Sequence, residues 1–132
     1  MLNFYLMFNG NAKEAIDTYL KIFEGKLLFV QKYSDMPTDS NFQAGDEMAD
    51  KILHASIEIA GSTIMCSDGL KEEGKCNNTY ISLSADAAIV QKAWDALKQG
   101  GRVRYELSPT FFAKLHGSLE DKFGINWMFT AE

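Results

Sequence analysis

Two histidines occur in the chain, and one of them, His54, sits in a stretch whose spacing defines its surroundings. Leu53 to Asp68 reads LHASIEIAGSTIMCSD, two alternating strands that turn back at Ala60-Gly61. A two-residue turn sets Ile59 opposite Ser62, Ser56 opposite Met65, and His54 opposite Ser67. Alternation then places His54, Ser56, Glu58, Thr63, Met65 and Ser67 on one face. Leu53, Ala55, Ile57, Ile59, Ile64 and Cys66 fall on the other, the face a helix would cover. A neutral imidazole can take a proton or ligate a metal, and it titrates near physiological pH, so His54 is the candidate catalytic residue. Glu58 lies about 13 Å further along the same face, too far to pair with it. A plain hydrogen bond from His54 to Ser67 across the hairpin is the structural alternative. Asp68, next to a glycine, reads as a turn former.

The elements that hold this hairpin follow from periodicity. Leu2 to Phe8 reads as a strand. Asn11 with Glu14 forms a capping box before a helical stripe of Ala12, Ala15, Ile16, Tyr19, Leu20 and Phe23, stopped at Gly25. Lys26 to Tyr33 is a second strand. Residues 34–50 are too long for an ordinary connection and read as a flap or a loose surface loop. Residues 69–78 form a polar linker. Strands are expected at Thr79 to Ser84, Val103 to Leu107, Phe111 to Leu119 and Ile125 to Thr130. A second helix, capped by Ser84 or Asp86, carries Ile89, Val90, Ala93, Trp94 and Leu97 and stops at Gly100-Gly101. The halves match as strand, helix, then three strands, an internal duplication of a βαβββ unit. One helix cannot enclose a whole sheet, so the modules, residues 1–68 and 79–132, are expected to pair within one α+β domain, their sheets curving around a cleft.

A net charge of −5 with scattered Lys and Arg gives no reason to expect nucleic acid. The apolar run Phe4 to Phe8 is too short to span a bilayer, so no membrane partner is expected and the location reads as cytoplasmic. Cys66 and Cys76 lack zinc-site spacing and read as free thiols, Cys66 in the core.

Four motifs in order, FNGNAKEAIDTYLKIFEG, ILHASIEIAGSTIMCSD, WDALKQGG and DKFGINWMF, resemble the PhnB-like branch of the vicinal oxygen chelate superfamily, which includes glyoxalase I, extradiol dioxygenases and the fosfomycin and bleomycin resistance proteins. The resemblance implies a glyoxalase-like fold, a homodimer and a small-molecule cleft. It also implies a divalent metal held by the first and last strands of each module. Those positions fall on Phe4 (or Tyr5) and Met65, and on Tyr80 and Met128. Phe, Tyr and Met make a poor site for a hard cation, so no metal or other cofactor is expected. The branch has carried a demethylubiquinone methyltransferase label, but no glycine-rich nucleotide loop opens a helix here.

Met65 at a former ligand position makes the His54 face the cleft face. Ser56 and Ser67 join it there. Alternation adds Tyr80, Ser82, Asn126 and Met128 from the second module, while Ile81, Leu83, Trp127 and Phe129 turn to the helix. Gly117, beside His116, is expected to let a ligand approach the backbone. The leading expectation is a metal-free binder of a small organic ligand. The alternatives are a lyase, isomerase or dioxygenase-type enzyme using His54, and an antibiotic-sequestering resistance protein.

Overall fold

The computed structural model describes residues 1–37 and 45–132. Part of the long 34–50 segment therefore lies outside the described residues. Its described flanks form short 3-10 turns at Tyr33–Asp35 and Asp46–Met48. The chain divides into two compact units, Met1–Glu73 and Gly74–Glu132.

The first unit contains β1 (Phe4–Phe8), α1 (Ala12–Phe23), β2 (Lys26–Lys32), β3 (Ile52–Ile59) and β4 (Ser62–Asp68). Its sheet runs β1-β4-β3-β2, with β1 parallel to β4 and the other pairs antiparallel. The second unit contains β5 (Ile81–Ala85), α2 (Ala87–Leu97), β6 (Arg102–Ser108), β7 (Leu115–Glu120) and β8 (Asn126–Ala131). Its order is β5-β8-β7-β6, again with only the first pair parallel. The architecture is α+β, two mixed four-stranded sheets each carrying one helix.

Each helix buries most of the stripe its periodicity predicts, but Leu20 and Phe23 are only half-buried and Ile89, in the first turn of α2, is exposed. Ala12, Ala15, Ile16 and Tyr19 of α1 are buried, as are Ala55, Ile57, Ile59, Ile64 and Cys66 of the sheet it packs on. In the second unit Val90, Ala93, Trp94 and Leu97 are buried, with Leu83, Leu119, Trp127 and Phe129 from the strands. Leu53, expected in that first core, is only half-buried, and Ile52 is buried instead. A register shift between Gln31 and Lys32, where β2 meets the start of β3, accompanies the exchange.

Two local expectations need correction. Asn11 makes no side-chain cap bond; Ala12 N–H donates instead to the Asp68 carboxylate at 3.0 Å. Asp68 is thus a helix cap supplied by β4, not a turn former. In α2 the expected Asp86 cap is present, accepting from Ile89 N–H at 3.0 Å. Phe111 and Phe112 belong to a loop before β7, where the Thr110 hydroxyl accepts from Ala113 N–H at 3.1 Å.

The duplication extends to irregular features. Both second strands are bulged at the same register, Leu28 between Leu27 and Phe29, and Arg104 between Val103 and Tyr105. The glycine after each helix also does the same job. A Cβ at Gly25 would overlap the carbonyl oxygen of Glu58, and one at Gly101 that of Glu120. The left-handed residue at the end of α1 is Glu24, φ 51°, so Gly25 is needed for close approach and not for its φ. Gly25→Ala and Gly101→Ala are each expected to lose about 1–3 kcal/mol by overpacking against main chain. Urea titration checks this, and a neutral result at either position would break the equivalence.

Candidate functional site

The hairpin forms with the expected register, Ile59 opposite Ser62 and Ser56 opposite Met65. Ala60 and Gly61 both have positive φ, 47° and 80°, which matches the twist of a two-residue hairpin turn. Parallel pairing of β1 with β4 then decides which N-terminal residue joins the His54 face. Tyr5 pairs with Met65 and Phe4 with Ile64, which is buried on the helix side. Tyr5 is therefore on the candidate face and Phe4 on the opposite one. Phe29 of β2 completes the row, opposite Ser56.

His54 lies among these side chains. The Tyr5 hydroxyl and His54 Nδ1 are 3.0 Å apart, and the ring centres of Tyr5 and Phe29 are 5.7 and 5.8 Å from the imidazole. The expected bond to Ser67 does not form, because the buried Ser67 hydroxyl donates to Met7 Sδ at 3.3 Å. Tyr5, Met7, Phe29, His54, Ser56 and Met65 all retain solvent exposure on this face. The arrangement fixes the imidazole through Nδ1 and offers an aromatic and thioether surface around it.

The metal positions can now be tested against register. Met65 pairs with Tyr5, and its counterpart Met128 pairs with Ser82, so Ser82 replaces Tyr80 as the strand-one position of the second unit. Tyr and Met in one unit, Ser and Met in the other, do not fit a hard divalent cation. No cluster of three His, Cys, Asp or Glu suited to a metal occurs among the described residues.

In the second unit, β7 and β8 set Ser118 opposite Met128 and His116 opposite Thr130. Third strands of both units therefore carry H-x-S-x-E, residues 54–58 and 116–120, with a methionine opposite each serine. Sequence reasoning missed this repeat, although aligning the two strands on their histidines would have revealed it. His116 Nδ1 and Thr130 Oγ1 are 3.1 Å apart, and the Phe112 ring centre is 5.0 Å from the imidazole. Ser82 is exposed, and Tyr80 and Met128 are half-buried.

Two expected contacts are already taken. A Cβ at Gly117 would lie 2.9 Å from Leu107 Cα and 3.0 Å from the Tyr105 carbonyl oxygen, so bulged β6, not a ligand, approaches this glycine. Asn126 is buried, donates to the carbonyls of Cys76 and Thr79, and accepts from Arg104 at 2.9 Å. It pins residues 76–79 to the sheet.

The thiols differ in character. Burial, aided by the Asp68 charge, pushes the Cys66 thiol up to about 12, as suits an inert core residue. Exposed Cys76 is lowered, chiefly by a hydrogen bond with the Thr79 side chain. A groove of about 660 Å³ lies at the N-terminal end of α1, lined in part by Gly10, Asn11, Glu47, Lys51 and Lys71, and no candidate residue lines it.

Comparison with known proteins places this geometry in a family. A family model described as 3-demethylubiquinone-9 3-methyltransferase matches residues 2–130. The protein YjdN of Escherichia coli is 35% identical over 133 residues, covering 94% of this chain and 90% of YjdN. The crystal structure of PA1353 from Pseudomonas aeruginosa is 33% identical with a TM-score of 0.87, covering 100% of this chain and 98% of that one. The fosfomycin resistance protein FosX of Listeria monocytogenes, 11% identical with a TM-score of 0.67 over 99% of this chain and 91% of its own, shares the fold. No helix among the described residues is long and apolar enough to cross a membrane. The chain thus belongs to the family described as 3-demethylubiquinone-9 3-methyltransferase, the PhnB-like branch of the vicinal oxygen chelate superfamily.

Proposed function

We propose that this protein binds a small organic ligand on the open face of its first sheet, around His54, without a divalent metal chelate. The observation that carries the reading is the Tyr5–His54–Phe29 cluster, with Met65 in the adjoining row. Aromatic and thioether side chains left open to solvent beside one oriented polar group suit an apolar molecule with a single hydrogen-bonding function. A homodimer and a cytoplasmic location belong to the same proposal. The family resemblance supports the first, and the two free thiols support the second.

Methionine methyl groups provide the test. With ε-methyl-labelled protein, phenol or indole is expected to shift the Met65 and Met7 signals. His54→Ala and Phe29→Ala are each expected to weaken that binding about tenfold, equivalent to about 1.4 kcal/mol. Absence of any Met65 shift would remove the site. Stoichiometric Zn, Ni, Mn or Fe in untagged protein would remove the metal-free part.

One observation favours catalytic use of the same face. Nδ1 is engaged by Tyr5, while Nε2 has no hydrogen-bond partner among the described residues. An imidazole held this way is poised to exchange a proton through Nε2. In a lyase or isomerase, His54→Ala would abolish turnover even at ligand concentrations that saturate the weakened site. Sequestration of a cationic antibiotic has only the net charge of −5 behind it.

A further inference from the structure

The second sheet carries positive charge that its own carboxylate does not neutralise. The Glu120 side chain is only 9% exposed, and three cations gather around it. Arg102 Nη2 stands at 3.5 Å, Lys75 Nζ at 3.6 Å and Arg104 Nη2 at 3.9 Å. Arg102 donates one long hydrogen bond to Glu120 Oε1, and all three cations stand beyond the about 2.7–2.9 Å of a close charge-assisted bond. They form no ion pair with any other acidic group among the described residues. Arg104, 17% exposed, also donates to the neutral oxygens of Asn126 and Asn77, and its buried Nε has no acceptor. The adjoining Asp121 accepts from Phe123 N–H, Ile125 N–H and Trp127 Nε1.

The first unit shows that the module does not need this charge. Where the second unit has Arg102, Arg104 and Asn126, the first has Lys26, Leu28 and Thr63 at matching register. Its Glu58 is exposed to water, whereas Glu120 is buried. The second copy of the duplicated module thus carries an extra guanidinium at the bulge and a lysine from residues 74–79. Both arginines offer donors that suit carboxylate or phosphate oxygens.

We infer that Arg102, Arg104 and Lys75 form a binding site for an oxyanion, the carboxylate or phosphate group of a small molecule. Arg102 opposes Glu120 on β7, and half-buried Met128 with exposed Ser82 forms a neighbouring row. This surface can take the remainder of such a ligand. The inference concerns the second unit and does not depend on the His54 face binding anything.

The test uses the full chain with inorganic phosphate and with benzoate, each compared with chloride at equal ionic strength. Thermal unfolding is followed as a function of anion concentration. At least one anion is expected to raise Tm saturably beyond chloride. Preference for phosphate would assign a phosphate-type ligand, and preference for benzoate a carboxylate. Arg104→Leu, which installs the residue of the first unit, is expected to abolish the response. Because Arg104 also holds Asn77 and Asn126, its loss costs stability, so Arg102→Gln at an exposed position is the deciding variant. It is expected to weaken the anion about fivefold, roughly 1 kcal/mol. No stabilisation beyond chloride by either anion, or unchanged affinity in Arg102→Gln, would overturn the proposal.

Discussion

Asp68→Ala is expected to destabilise the first unit by about 3–5 kcal/mol, because two N–H groups buried against the carboxylate would each lose an acceptor worth about 1–3 kcal/mol. Asp68 is 1% exposed. Its Oδ1 accepts from Ala12 N–H at 3.0 Å, and its Oδ2 from Ile52 N–H at 2.9 Å. Its own carbonyl accepts from the Tyr33 hydroxyl at 2.7 Å. One residue at the end of β4 therefore ties together the start of α1, the start of β3 and the turn after β2. The carboxylate also meets the positive end of the α1 dipole, which adds to the loss. Asp68→Asn keeps one acceptor oxygen but turns an amide N–H₂ toward the other donor, so it should fall nearer Ala than wild type. Urea midpoints from far-UV circular dichroism check both variants. A loss below about 1 kcal/mol for Asp68→Ala would mean that water replaces the carboxylate.

This residue also illustrates what the sequence could and could not convey. Most of the α1 and α2 stripes, the hairpin register and the facing of Met65 were legible, because each depends on periodicity within one or two adjacent segments. The Asp68 cap was not, because 56 residues separate it from Ala12 and a local alternative, Asn11, was in view. The choice between Phe4 and Tyr5 depended on a parallel register across the length of the unit, which no turn specifies. Gly117 and Asn126 were placed on the right strands, but their neighbours were not foreseeable. A bulge in β6 fills the space beside Gly117, and residues 76–79 occupy the Asn126 amide. The charge cluster at Glu120 escaped notice for the same reason: Lys75, Arg102, Arg104 and Glu120 are brought together only by the sheet.

A tryptophan such as Trp127 can pack in a core or stack on a ligand, and the two roles predict opposite results. Alternation assigns it to the core, and it is 1% exposed beside the buried Phe129, with ring centres 6.2 Å apart. Trp94 of α2 meets Phe129 edge-on at 5.5 Å, so the three rings join helix to sheet. Trp127 Nε1 also donates to Asp121 Oδ2 at 2.9 Å, next to the turn whose N–H groups the other carboxylate oxygen accepts. Trp127→Ala is therefore expected to cost about 3–5 kcal/mol, the usual loss for emptying a buried indole site. Trp127→Phe keeps most of the ring volume but removes the donor to a buried carboxylate, for an expected loss of about 1.5–3 kcal/mol. A ligand-stacking tryptophan would reverse this pattern, with near-native stability and lost affinity for phenol or indole. Parallel urea titrations and Met128 methyl spectra of the two variants separate the roles. If Trp127→Ala unfolds at the wild-type midpoint, the core assignment fails, and with it the facing of β8 that puts Met128 on the open side.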